Sequence, residues 1–166
     1  MAESRPKERT IELDLDDERA TVNLAAALAG VARAGDVIAL SGELGAGKTV
    51  FARAFVRALS SGPGGCRRQV PSPTFTLAQS YDCHANTVHH FDLFRLSRPE
   101  EAWELGIEDA FADGISLVEW PERLGAELPE SRLDVAFFFA ADPNARTVRI
   151  MARDHWRARL REAEID

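Results

Sequence analysis

Apolar and polar positions alternate along some stretches of the chain and recur with helical spacing along others. The stretch Thr10–Leu15 alternates as a half-buried strand does, whereas Leu24 and Leu28 fall on one helical face. The predicted strands are 10–15, 36–41, 74–81, 87–94, 114–119, 133–140 and 146–153. The predicted helices are 16–33, 50–59, 99–103, 107–111 and 154–164.

The order of these elements predicts an α/β domain. Strand–helix units are followed by two hairpins, at 74–94 and 133–153, so we expect a mixed β-sheet flanked by helices. A chain of 166 residues is long enough for a single domain with one sizeable core. Within this single domain, 1–166, we expect residues 1–9 to form a flexible N-terminus and 154–166 a terminal helix.

A glycine-rich loop joins the second predicted strand to the second predicted helix. Residues 42–49 read Gly-Glu-Leu-Gly-Ala-Gly-Lys-Thr, which matches the pattern G-x-x-x-x-G-K-[ST]. Glycines let the backbone bring its N–H groups close to phosphate oxygens, and the following helix adds its unpaired N-terminal N–H groups. Lys48 supplies a mobile positive charge, and the Thr49 hydroxyl is suited to Mg²⁺. The loop therefore predicts a nucleoside triphosphate site and a P-loop NTPase-like fold.

A second acidic ligand for the metal is expected at the end of an apolar strand beside the loop strand. Glu119 ends the buried run Ile115–Glu119 and is the best candidate, binding Mg²⁺ directly or through water. The alternative is a solvated glutamate at a strand end.

Two further residues have the right chemistry to act on a phosphate. Thr74 follows the Gly-rich stretch 60–65, and its hydroxyl suits a segment that becomes ordered around the γ-phosphate; the alternative is an ordinary strand start. Asp92 could orient or deprotonate an attacking water, or could form a structural pair with Arg95. His84, His89 and His90 are too irregularly spaced to predict a metal site, and we interpret them as hairpin residues.

Composition narrows the class of protein. The net charge of −7 argues against a standing nucleic-acid-binding surface. Cys66 and Cys83 have no metal-like spacing and are expected to be free thiols in a reducing cytosol.

The polar N-terminus and the lack of a 20-residue apolar run predict a cytoplasmic protein with no membrane span. With Lys7 and Lys48 as the two lysines, no Asn-Lys-x-Asp element exists, which favours ATP over GTP.

Several motifs, taken in order, resemble the bacterial TsaE (YjeE) family, the ATPases of tRNA threonylcarbamoyladenosine biosynthesis. The resemblance spans roughly Leu15–Ala140, and each motif alone is modest while their joint order is specific. The motifs are Gly42-Glu-Leu-Gly-Ala-Gly-Lys-Thr49, Ser72-Pro-Thr-Phe-Thr76, His90-Phe-Asp-Leu-Phe-Arg-Leu96, Glu104-Leu-Gly-Ile107 and Leu117-Val-Glu-Trp-Pro121. One departure is Phe94, where the family often has Tyr.

The resemblance implies a weak Mg-dependent ATPase that works with the partners TsaB and TsaD and reaches tRNA indirectly through them. Thr49 and Glu119 would hold Mg²⁺, while Thr74 matches a switch-like threonine and Asp92 an aspartate needed for hydrolysis. Glu18 matches a position near the nucleotide base. The residues that would bind the phosphates are Leu44, Gly45, Ala46, Gly47, Lys48 and Thr49.

Two other functions stay open at this point. A P-loop small-molecule kinase needs an acceptor pocket and usually a basic lid, for which the short segments after the loop leave little room. A non-hydrolysing nucleotide-binding adaptor would need Lys48 but not Asp92.

Overall fold

The computed structural model describes residues 8–61, 77–83, 86–153 and 155–166. The strands are β1 (Arg9–Leu15), β2 (Val37–Gly42), β3 (Ala78–Cys83), β4 (Asn86–Asp92), β5 (Ile115–Glu119), β6 (Leu133–Phe139) and β7 (Arg146–Ala152). The α-helices are α1 (Glu18–Val31), α2 (Lys48–Ser60), α3 (Glu101–Glu104), α4 (Ile107–Asp113) and α5 (Trp156–Glu162). A 3₁₀ segment, Pro121–Glu127, follows β5.

The strands form one mixed sheet in the order β1-β7-β6-β2-β5-β4-β3. The four central strands, β6, β2, β5 and β4, run parallel, and antiparallel strands extend the sheet on both sides. The mixed α/β sheet flanked by helices is therefore confirmed, as are both hairpins, β3–β4 and β6–β7.

Helices cover the two faces of the sheet unequally. The larger core packs α1, α2 and α5 against one face, with Phe51, Phe55 and Trp156 fully buried in it. A smaller core under α3, α4 and the 3₁₀ segment buries Phe91 and Leu93 on the other face. Every residue of β5 is buried. This burial explains the continuous apolar run in the sequence of β5, because a central strand covered on both faces has no solvent side.

Local signals in the sequence account for the start of α1. The Asp17 side chain accepts a hydrogen bond from the Ala20 N–H at 2.8 Å and so caps the first turn. The helix then buries Leu24, Ala25 and Leu28 along one side, as its apolar spacing predicts.

Some predictions were wrong in detail. Arg9 lies in β1 opposite Ala152 and not in a flexible N-terminus, while the rest of that predicted segment, except Glu8, lies outside the described residues. Cys83 is disulfide-bonded, so the expectation of a free thiol is wrong there, and Cys66 lies outside the described residues. The 3₁₀ segment was not predicted, because its turn depends on a left-handed residue, Trp120, that no local pattern marks.

The helices of the described residues are short. The longest, α1, has 14 residues, and none of them has the length and apolar character needed to cross a bilayer.

Candidate active site

The candidate site lies at the carboxyl ends of β2, β5 and β4, where open parallel sheets commonly bind ligands. The register places Leu40 opposite Glu119, and Glu119 opposite Asp92. Both acids therefore sit on neighbouring strand ends, directly beside the glycine-rich loop that leaves β2 at Gly42.

Glycine is required in this loop by both conformation and space. Gly42 has a φ of +139°, and a Cβ there would lie 2.6 Å from the carbonyl oxygen of Phe137. Gly47 has a φ of +117° and directly precedes α2, whose first turn has no side-chain cap. The uncapped N–H groups at the start of α2 are thus available to an anion.

Lys48 is buried at the mouth of the loop. Its ammonium donates to the carbonyl oxygens of Gly42 and Glu43, at 2.8 Å for Glu43, and lies 4.1 Å from the centre of the Trp120 ring. Burial lowers the pKa of Lys48 below its ordinary value, and the charge of Glu119 is the strongest opposing influence. The positive charge is therefore held in place by loop carbonyls and an aromatic face.

A hydrogen-bonded chain connects α2, β5 and β4. The Thr49 hydroxyl donates to Glu119 Oε1 at 2.7 Å, and His90 Nε2 lies 2.7 Å from Glu119 Oε2. Glu119 and His90 are almost completely buried. Because a carboxylate is only an acceptor, His90 is the donor in this contact and fixes the orientation of Glu119. The hydroxyl and carboxylate oxygens form a hard donor pair of the kind that Mg²⁺ prefers.

These oxygens do not form a complete metal cage by themselves. Across the described residues, no group of three or more His, Cys, Asp or Glu side chains is arranged to hold a metal ion. Mg²⁺ usually takes one or two protein carboxylates together with phosphate oxygens and water. The pair Thr49 and Glu119 fits that sparse type of site.

Asp92 is half-buried beside Glu119. Its carboxylate accepts a hydrogen bond from the Phe94 N–H at 3.1 Å. Burial raises the pKa of Asp92 above its ordinary value, the Phe94 N–H lowers it, and the nearby charge of Glu119 raises it further. No ion pair joins Asp92 to Arg95, both of which the structure describes, so the structural pair that the sequence left open is not formed.

Two of the cavities that border the loop are lined by most of the predicted site residues. The first, about 270 Å³, is bordered by the loop together with Asp92, Phe94, Glu119 and Trp120. The second, about 430 Å³, lies between the loop, the start of α1 and the β6–β7 turn. Glu18 lines this second cavity together with Gly45, Gly47, Asn144 and Arg146.

The structure thus brings most of the predicted site residues together. Those around the first cavity are Leu44, Gly45, Gly47, Lys48, Thr49, Asp92 and Glu119. Ala46 is a buried residue of the loop itself, and Glu18 borders the second cavity. Thr74 lies outside the described residues.

Sequence reasoning missed three residues of this site. His90 was interpreted as a hairpin residue, although its position two before Asp92 on one strand face was an available signal. Trp120 was given no role beyond its place in the motif Leu117–Pro121, although it directly follows Glu119. Arg146 donates to the Ala46 carbonyl at 3.1 Å, a contact across 100 positions that no local pattern reveals.

Comparison with known proteins gives the family. The model of the family described as "Threonylcarbamoyl adenosine biosynthesis protein TsaE" matches residues 15–148. The chain is 37% identical over 121 residues to the tRNA threonylcarbamoyladenosine biosynthesis protein TsaE of Rickettsia bellii, covering 73% of this chain and 81% of that one. It is 37% identical over 123 residues to the protein of the same description from Bacillus subtilis, covering 74% and 73%.

A solved structure agrees with the sequence comparison. The fold superposes on the crystal structure of YdiB from Bacillus subtilis with a TM-score of 0.78 at 25% sequence identity, and the match covers 96% of this chain and 97% of that one. The family match spans the glycine-rich loop, Asp92 and Glu119. The chain belongs to the TsaE family, whose members take part in tRNA threonylcarbamoyladenosine biosynthesis.

Proposed function

We propose that this protein is a Mg-dependent ATPase that supports threonylcarbamoyladenosine formation in tRNA. It acts with TsaB-like and TsaD-like partners, and it reaches tRNA through them. Membership of the TsaE family supports the pathway, and the residues at the glycine-rich loop support the ATPase reaction.

One contact carries this proposal. The Thr49 hydroxyl and the Glu119 carboxylate meet at 2.7 Å, although 70 positions separate them in the chain. One follows the loop lysine and the other ends the neighbouring parallel strand, which is the arrangement that Mg-nucleotide hydrolysis uses in P-loop NTPases.

The chain's own groups have separate tasks in this reaction. The loop N–H groups and Lys48 bind the phosphates, and the second cavity beside Glu18 receives the nucleoside end. Thr49 and Glu119 would hold Mg²⁺, which when bound neutralises charge on the phosphate oxygens. His90 keeps the Glu119 carboxylate turned toward Thr49.

Asp92 is suited to orient the attacking water. Asp92 and Glu119 lie on neighbouring strand ends and line the first cavity together with Lys48. The charges of Glu119 and Lys48 both act on the Asp92 carboxyl. Its raised pKa brings it closer to the range in which a carboxylate accepts a proton from water, while the Phe94 N–H fixes one of its oxygens.

The formal charge of the chain favours an indirect role at tRNA. A net charge of −7 opposes direct binding to a polyanion, so contact with tRNA is expected through the partner proteins.

Phosphate release tests the proposal. The purified chain is incubated with Mg-ATP, with and without the TsaB-like and TsaD-like proteins of the same organism. We expect weak hydrolysis alone, a rise of at least tenfold with the pair, and no rise when Lys48 is replaced by alanine. Unchanged activity with the partners, or transfer of phosphate to a small metabolite, would instead favour the P-loop kinase.

A further inference from the structure

The side chain of Arg146 bridges the β6–β7 turn and the glycine-rich loop. On the loop side, its Nε donates to the Ala46 carbonyl at 3.1 Å, and one terminal nitrogen donates to the Gly45 carbonyl at 3.4 Å. On the turn side, its other terminal nitrogen donates to the carbonyls of Pro143 and Ala145, at 2.8 and 2.7 Å. Every nitrogen of the guanidinium therefore contacts a backbone carbonyl.

Strand order brings Arg146 to the loop. The strand β7 begins at Arg146, and β6 pairs with both β7 and β2, so the hairpin turn lies beside the loop that leaves β2. The Phe139 ring, opposite Arg146 in the hairpin, lies 4.9 Å from the guanidinium. This cation–π contact and the four hydrogen bonds hold one conformation of a side chain that otherwise has many rotamers.

The Arg146 guanidinium forms no ion pair with a carboxylate in the described part of the chain. A guanidinium is well matched to a carboxylate or a phosphate, whose paired oxygens fit its planar set of donors. Here backbone carbonyls use all three nitrogens instead. The contacts are therefore typical of a residue that fixes the shape of the backbone.

The hydrogen bond to the Ala46 carbonyl sets the direction of the next N–H group. The described residues contain no cis peptide bond, and in a trans peptide the C=O and N–H point in opposite directions. Because the Ala46 carbonyl is directed at Arg146, the Gly47 N–H is directed away from Arg146. The Gly47 N–H has no hydrogen-bond partner among the described residues, whereas the Ala46 N–H donates to the Glu43 carbonyl at 3.1 Å.

Gly47 lies between the two cavities beside the loop. It borders both of them, whereas Arg146 borders the second cavity but not the first. The Gly47 N–H, directed away from Arg146, is therefore available on the side where Lys48 and Thr49 line the first cavity.

We propose that Arg146 is a positioning residue for phosphate binding. By holding the Ala46 carbonyl, it directs the Gly47 N–H toward the phosphates before the nucleotide binds, so less ordering of the loop is needed on binding. Arg146 itself does not contact the phosphates and acts through the loop backbone. The inference rests on the proposed function, because it takes the ligand to be a nucleoside triphosphate.

Arg146→Met tests this role, since methionine keeps an unbranched side chain and has no donor. Binding of ATP and of inorganic triphosphate, which lacks the nucleoside, is measured by calorimetry in Mg²⁺. We expect both affinities to fall by about tenfold and by the same factor, because both ligands use the Gly47 N–H. In the hydrolysis assay, KM for ATP should rise while kcat changes little, since the groups that act on the γ-phosphate are untouched.

Arg149→Met is the matched control. Arg149 lies on the same strand and contacts the Phe138 ring and Glu12, away from the loop. Its replacement should leave both affinities unchanged. Urea denaturation compares the two variants, and we expect Arg146→Met to unfold with nearly the same free energy as Arg149→Met.

Arg146→Lys separates the positioning role from a simple effect of charge. Lysine keeps the positive charge, but a single ammonium lacks the planar fork that reaches the loop and turn carbonyls together. We expect the affinities of Arg146→Lys to stay close to those of Arg146→Met. Recovery of wild-type affinity in Arg146→Lys would overturn the positioning role, because charge alone would then be sufficient.

The remaining outcomes separate this inference from the proposed function. If Arg146→Met loses affinity for ATP but not for triphosphate, Arg146 contacts the nucleoside in the second cavity and the inference is wrong. If Arg146→Met binds both ligands as the wild type does, the inference fails while the proposed function stands. If the wild-type chain binds neither ligand, the proposed function itself is wrong and the inference falls with it.

Discussion

Carboxylates at the two ends of the central strands have opposite surroundings. Asp36, just before β2, is buried and accepts hydrogen bonds from the Arg159 guanidinium, from His155 and from the Arg33 N–H at 2.6 Å. Asp92, at the carboxyl end of β4, is half-buried and accepts a hydrogen bond from the Phe94 N–H at 3.1 Å. The charge of Asp36 is balanced by Arg159, as is typical of a structural carboxylate. Asp92 has fewer partners, so its oxygens can still accept hydrogen bonds from a ligand.

The difference indicates that residues at the amino end of the central strands stabilise the fold, whereas residues at the carboxyl end serve the reaction. The cluster around Asp36 joins α5 to the sheet through Arg159, and its removal should weaken the fold. The groups at the carboxyl ends converge on a cavity and involve left-handed backbone at Gly42, Gly47 and Trp120. Their removal should weaken the reaction while leaving most of the fold intact.

Replacement of Asp92 should have the largest effect on activity. In Asp92→Asn the hydrogen bond from the Phe94 N–H can persist, but the side chain can no longer accept a proton. We expect partner-stimulated hydrolysis to fall by about 10²–10⁴-fold with nucleotide affinity retained. Phosphate release and nucleotide titration measure the two quantities, and a loss of affinity as large as the loss of rate would contradict the assigned role.

Replacement of Asp36 should have the largest effect on stability. Asp36→Ala leaves the largely buried Arg159 without its carboxylate, so the free energy of unfolding should fall by about 3–5 kcal/mol. Urea denaturation measures this change. Asp166→Ala is the control, because its pair with Arg9 at 2.9 Å involves a largely exposed carboxylate and should contribute little. Similar losses in both variants would remove the contrast between the two ends of the sheet.

Replacement of His90 should have an intermediate effect that depends on magnesium. His90→Leu removes the donor to Glu119 Oε2, and loss of such an orienting contact typically weakens metal affinity by about 10–100-fold. Nucleotide binding should therefore weaken in Mg²⁺ but not in EDTA. His89→Leu is the matched control, since His89 contacts Ser80 and Asp113 away from Glu119. Equal weakening with and without Mg²⁺ would indicate a packing role for His90.

The smallest expected effect is a pH-dependent gain in stability in Asp92→Asn. The pKa of Asp92 is raised by burial, so the folded protein favours the protonated form. The stability from this carboxyl is therefore fully present below the ordinary aspartate pKa and is lost as the pH rises through the raised value. Asp92→Asn should then be slightly more stable than the wild type at neutral pH, with the difference disappearing on acidification. Urea midpoints between pH 3 and pH 7 measure it, and a difference that grows toward low pH would show that burial does not raise the pKa of Asp92.

Much of the fold and part of the site follow from local patterns. The loop motif, the strand-end position of Glu119 and both hairpins lie in contiguous stretches whose spacing reports strand, turn or helix directly. Glu119 next to the loop strand was predictable, because an all-apolar strand that ends in an acid is typical of the centre of a parallel sheet.

Other parts of the site depend on partners distant in sequence. The Arg146 contact with the loop and the burial of His90 against Glu119 arise from strand order, which no single stretch encodes. The buried pair of Asp36 and Arg159 was missed for the same reason, since α5 resembles a solvated charged helix until it packs on the core.

By itself, the sequence determined which chemical groups this protein carries and the order of its elements, and its motifs predicted the TsaE family, which the family match over residues 15–148 confirms. Helix and strand periodicity, glycine content and the lysine of the loop act over a few residues, so they can be read locally. The tertiary structure alone decided which acids are neutralised and which stay available, because burial and hydrogen bonding depend on neighbours across the sheet. It also decided that Phe138 and Phe139 remain exposed beside the loop, where an apolar pattern in the sequence predicts only a strand.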